Sequence, residues 1–69
     1  MTKYAAIIEN AGANYSGYVP DLPGCIATGA TAADVKTELR KAIRFHIDGL
    51  IEDGLPIPPP VTVAEYLEA

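Results

Sequence analysis

Sixty-nine residues, 49% of them hydrophobic, with a net charge of -4, make one small domain (residues 1–69) near the lower limit of independent stability. One cysteine excludes an internal disulfide, and one cysteine with one histidine excludes a structural zinc site. The acidic balance argues against direct nucleic-acid binding, which needs Lys and Arg to neutralise phosphates, and suits a basic protein partner.

The first element is the apolar run K-Y-A-A-I-I-E, residues 3–9, rich in strand formers and followed by the turn chemistry of Asn10, Gly12 and Asn14. Residues 15–19 alternate Tyr15, Gly17 and Val19 against Ser16 and Tyr18, as a half-exposed strand does. A five-residue connection makes the two an antiparallel hairpin. Next comes V-P-D-L-P-G-C, where two prolines three apart forbid a paired central strand. Pro23 and Gly24 suit the central positions of a type II turn, and Asp21 suits an Asx-turn onto its own backbone. The result is a rigid corner, with little conformational freedom to lose on binding. A third strand occupies residues 25–29.

The period then changes. Thr31 and Asp34 match the [ST]-x-x-[DE] capping pattern. Val35, Leu39, Ala42, Ile43, His46, Ile47, Leu50 and Ile51 follow at helical spacing. Gly54 and Pro56 end a helix predicted over 31–53, about 33 Å long at 1.5 Å per residue. Residues 55–60, L-P-I-P-P-P, run extended over about 19 Å in polyproline geometry. A fourth strand is expected at 65–68. The fold class is therefore α+β: a three-stranded antiparallel meander and a final strand, with one long helix packed on the sheet. The opening apolar run is too short for a signal peptide, and no stretch approaches the ~20 residues that span a bilayer. The expected location is cytoplasmic.

Catalytic chemistry finds little support. His46 lies on or beside the apolar helix stripe with no triad partner patterned around it. Cys25 opens an apolar strand and reads as a small buried hydrophobe. Asp34 has a capping role, Asp21 a turn role, and the remaining carboxylates fall on solvated faces, so neither a metal nor another cofactor is expected. Gly24 and Gly29 serve turns, not a phosphate-binding loop. The four tyrosines lack the interleaved basic residues of a base-stacking platform and instead suit a sheet face or an interface.

Taken together, Y-A-A-I-I-E, Y-S-G-Y-V-P-D-L-P-G-C, A-T-G-A-T, the long capped helix and G-L-P-I-P-P-P resemble the HicB-like antitoxin family. The resemblance runs from about Tyr4 to Pro60, and Glu65, Tyr66, Leu67 and Glu68 are similar to the family's closing strand. It implies a β-β-β-α-β half of a ribonuclease-H-like sheet without the nuclease carboxylates. It further implies a non-enzymatic protein of a type II toxin–antitoxin system that occludes HicA-type toxins, which are small basic mRNA-cleaving proteins. Sixty-nine residues leave no room for the C-terminal DNA-binding module of many members, so no direct nucleic-acid contact is expected. Tyr18, Pro20, Asp21, Leu22, Pro23 and Gly24 are the expected partner contacts. Tyr66, Leu67 and Glu68 are the expected contacts of a homo-oligomer, dimer or tetramer, since edge pairing covers the open sides of so small a sheet. The alternatives are an orphan homo-oligomeric domain without a toxin and a degenerate metal-dependent nuclease relying on Glu9 or Asp21.

Overall fold

The computed structural model describes residues 2–69. Three strands, β1 (Ile7–Asn10), β2 (Tyr15–Tyr18) and β3 (Ile26–Gly29), form an antiparallel meander in the order β1-β2-β3, followed by helix α1 (Ala32–Glu52). Pairing starts at Ile7, opposite Tyr18, and not at Lys3 as the apolar run suggests. Partners for residues 3–6 would have to come from residues 19–22, and there Pro20 turns the chain away. The hairpin loop is four residues, 11–14, closed by the Ala11 amide donating to the Asn14 carbonyl at 2.8 Å.

The register sorts the two faces. Ile8, Gly17 and Ala27 stand side by side on the three strands and look toward α1. Val19, Leu22, Cys25, Val35 and Leu39 form the buried core there, with Tyr4, Ile8, Tyr15, Ala27, Ala42 and Ile43 packed against it. Gly17 leaves room for helix side chains to press onto the middle strand. A Cβ at that position would lie 2.7 Å from Val35 Cγ1, 2.9 Å from Leu39 Cδ1 and 3.0 Å from the Ile7 carbonyl oxygen.

The helix ends follow the sequence. Thr31 is the N-cap, its hydroxyl accepting from the Asp34 amide at 3.1 Å. At the other end the Gly54 amide donates to the Ile51 carbonyl at 3.1 Å and the Leu55 amide to the Leu50 carbonyl at 2.9 Å. These are the paired bonds of a Schellman motif, which satisfy carbonyls that the helix leaves open.

The fourth strand is not formed. Residues 55–69 carry no regular secondary structure, and Tyr66 and Leu67 are 101% and 89% exposed. A strand needs a neighbouring edge to satisfy its backbone, and within one chain residues 65–68 pair with none. No helix among the described residues is long and apolar enough to cross a membrane.

Candidate functional site

The corner between β2 and β3 consists of two successive turns. The Leu22 amide donates to the Val19 carbonyl at 3.1 Å, and the Cys25 amide to the Leu22 carbonyl at 3.0 Å. Pro23 and Gly24 occupy the central positions of the second turn, and Gly24 has φ +83°, the positive value a type II turn requires there. The Val19 amide closes the base by donating to the Cys25 carbonyl at 3.0 Å. Three hydrogen bonds and two prolines thus hold the loop rigidly on the sheet.

This geometry divides the predicted contact residues. Pro20 and Asp21 are half-buried, Pro23 and Gly24 are exposed, and Leu22 is fully buried. Leu22 therefore offers no side-chain surface to a partner. It plugs the core between Val19 and Cys25, and its place in the corner is that of an anchor. Tyr18 is 42% exposed at the foot of the corner. Tyr66, Leu67 and Glu68 are exposed on the C-terminal segment.

Asp21 does not make the local Asx-turn expected of it. Its Oδ2 accepts from the Val61 and Thr62 amides at 3.0 Å each, and its Oδ1 accepts from the Thr62 hydroxyl at 2.7 Å. A second hold lies upstream, where the Tyr4 hydroxyl donates to the Pro58 carbonyl at 2.6 Å. The Thr62 hydroxyl is the main cause of a lowered Asp21 pKa, followed by the Thr62 amide, while burial opposes the shift by more than the Val61 amide adds to it. A lowered folded-state pKa means a contribution present above the ordinary carboxylate pKa and lost as pH falls through the lowered value. At neutral pH the latch is closed. Asp21→Asn at neutral pH, or acidification of the wild type below the ordinary carboxylate range, is expected to release the segment. Amide chemical shifts of Val61 and Thr62 read this by NMR: both should move toward random-coil positions, and shifts insensitive to either change would rule the latch out.

Sequence reasoning missed two neighbours of Tyr18. Ile7 pairs with Tyr18 and Tyr18 with Ile26, so the three form one row on the sheet face turned away from α1. Ile26 is 70% exposed. The row abuts the corner, giving an apolar strip beside a rigid ridge. The signal was the hairpin register, which places Ile7 and Ile26 opposite Tyr18 once the strand ends are known.

The remaining chemical candidates stay quiet. Cys25 is buried, and burial pushes its thiol pKa up, which disfavours the reactive thiolate. His46 is half-buried on α1. Among the described residues no three His, Cys, Asp or Glu side chains converge as a metal site. The ion pairs Lys41–Glu38 at 3.3 Å and Arg44–Asp48 at 3.9 Å are exposed and contribute little.

Comparison with known proteins places these features in a family. The family model described as a HicB_like antitoxin of bacterial toxin-antitoxin system matches residues 4–69. An uncharacterized 14.9 kDa protein in the rep-hol intergenic region of Haemophilus phage HP1 (strain HP1c1) is 34% identical over 64 residues. That match covers 93% of this chain and 48% of the phage protein, so the chain spans about half the length of that relative. Among solved structures, a chain of the "HicA3 and HicB3 toxin-antitoxin complex" is similar at 35% identity with a TM-score of 0.72, covering 86% of this chain and 70% of that one. The proline corner, the three-stranded meander and the long capped helix thus occur together because the chain belongs to the HicB-like antitoxin family of bacterial toxin–antitoxin systems.

Proposed function

We propose that this domain, acting in the cytoplasm, binds a small basic HicA-type toxin and inactivates it by covering its RNA-cleaving surface. The observation that carries the reading is the likeness, at 35% identity and a TM-score of 0.72, to a chain of a HicA3–HicB3 toxin–antitoxin complex. The corner and the Ile7–Tyr18–Ile26 row support it physically. They combine a ridge with little conformational entropy to lose and an apolar strip, on a chain of net charge -4 that attracts a basic partner. The domain performs no chemistry and contacts no nucleic acid in this role. Tyr66, Leu67 and Glu68 serve self-association.

The test is capture of tagged chain from its native lysate, followed by an RNA-cleavage assay on any small basic protein recovered in stoichiometric amount. Cleavage that stops when the chain is added back is the expected result. Tyr18→Ala and Ile26→Asp, both at exposed positions, should each weaken inhibition by about tenfold or more, the effect of losing a central apolar contact. Recovery of the bait alone, or cleavage indifferent to the chain, would leave an orphan homo-oligomeric domain.

A further inference from the structure

Helix α1 packs mainly over β3 and β2 and less over β1. Beside β1 this leaves two adjoining clefts, of about 340 and 180 Å³. One wall carries alternate residues Tyr4, Ala6 and Ile8, and the other carries Lys36, Arg40 and Ile43 of α1. Arg44 and Ile47 extend the helix wall as far as Ile57. Lys36, Arg40 and Arg44, at four-residue spacing on one helix edge, are three of the chain's five cations. β1 is an outer strand of the sheet, so one of its edges has backbone groups without a strand partner. An open strand edge, an apolar floor and a cationic rim together recognise an extended peptide that carries apolar side chains and carboxylates.

The chain itself contains such a peptide. Residues 61–69, V-T-V-A-E-Y-L-E-A, hold β-branched and aromatic residues with carboxylates at Glu65 and Glu68. Val61, Val63, Tyr66 and Leu67 are all largely exposed. The same chain does not fill its own groove: no residue beyond Ile57 lines either cleft, and Asp21 holds Val61 and Thr62 at the corner. The lengths agree. The six residues 63–68 cover about 20 Å as a strand, against roughly 20 Å along residues 2–8 and about 17 Å along α1 from Lys36 to Ile47.

We propose that residues 63–68 of a second copy, beyond the Asp21 latch, dock on the free edge of β1, beneath the Lys36–Arg40–Arg44 edge of α1. Reciprocal docking makes a two-fold dimer by strand exchange. The proposal deepens the reading of Tyr66, Leu67 and Glu68 as self-association contacts by naming the surface that receives them. It also separates the two interfaces, because a cationic rim disfavours a basic toxin, while the corner and the Ile7–Tyr18–Ile26 row stay open.

Sedimentation of the full chain at about 100 μM, where a micromolar dimer is almost fully formed, tests this. The wild type should run as a dimer. Arg40→Glu in the groove and Leu67→Asp in the tail, both on exposed side chains, should each raise the dimer dissociation constant by about tenfold or more. Mixing the two variants should restore a heterodimer, because one intact tail then meets one intact groove. A monomeric wild type, a dimer that neither variant disturbs, or a mixture no more associated than its components would overturn the proposal. Toxin inhibition by Arg40→Glu separates the two readings. It should persist in the monomer, whereas its absence from an intact wild-type dimer counts against toxin binding and leaves the exchange standing.

Discussion

Leu22→Ala is expected to lower the thermal unfolding midpoint by on the order of 10–30 °C, or to leave the domain unfolded at room temperature. Leu22 is fully buried among Val19, Cys25, Val35 and Leu39. Truncating a buried leucine costs about 2–5 kcal/mol through lost transfer energy and the cavity left behind. Each kcal/mol moves the midpoint by about 4–8 °C in a domain of this size, and domains this small have little stability in reserve. The two turns that hold Leu22 leave the corner no way to collapse into the void. Calorimetry or circular dichroism against temperature measures the shift. A midpoint within a few degrees of wild type would mean that the side chain is not core. The sequence alone gives the opposite expectation, a loss of partner binding ahead of stability, because a leucine between two prolines in a turn looks exposed.

Gly17→Ala reaches the same core from the other side. The added methyl would sit 2.7 Å from Val35 Cγ1 and 3.0 Å from the backbone oxygen of Ile7. Side chains can shift, but the Ile7 carbonyl belongs to the neighbouring strand and resists. Alanine ordinarily gains on glycine in a strand by reducing unfolded-state entropy, by about 0.4–1 kcal/mol. Overpacking costs about 1–3 kcal/mol, so the balance falls on destabilisation. Chemical denaturation should show a lower midpoint at an unchanged slope. An equal or raised midpoint would show that α1 lifts off the sheet without cost. Together the two variants probe whether the helix–sheet contact is as tight as its distances indicate.

What the sequence discloses is what single residues decide locally. Pro23 and Gly24 bring their own dihedral constraints, so the type II turn was legible from two letters. Thr31 and Asp34 announced the N-cap, and the 3.6-residue period carried the helix to its Gly54 stop. What stayed hidden depends on partners far along the chain. The donors to Asp21 are 40 and 41 residues away, and no local pattern foretells them. The inward aim of Leu22 is set by two consecutive turns and not by any period. The closing strand at 65–68 is expected from the likeness of Glu65, Tyr66, Leu67 and Glu68 to the family's last strand, but that likeness cannot supply the edge they would pair with. The Tyr18 row needed a register before Ile7 and Ile26 could join it.

Pro56, Pro58, Pro59 and Pro60 bear on none of these contacts directly, yet they determine where the tail begins its reach. Each fixes its own φ and restricts the residue before it, and the linker is pinned at Pro58 by Tyr4 and just past Pro60 by Asp21. The segment is a short strut and not a tether. Residues 63–69 therefore sweep a small volume from a fixed point, and their local concentration at any surface within that volume is correspondingly high. Affinity for whatever receives the tail is set partly by residues that never touch it, and a flexible linker of equal length would dilute it without removing a single contact.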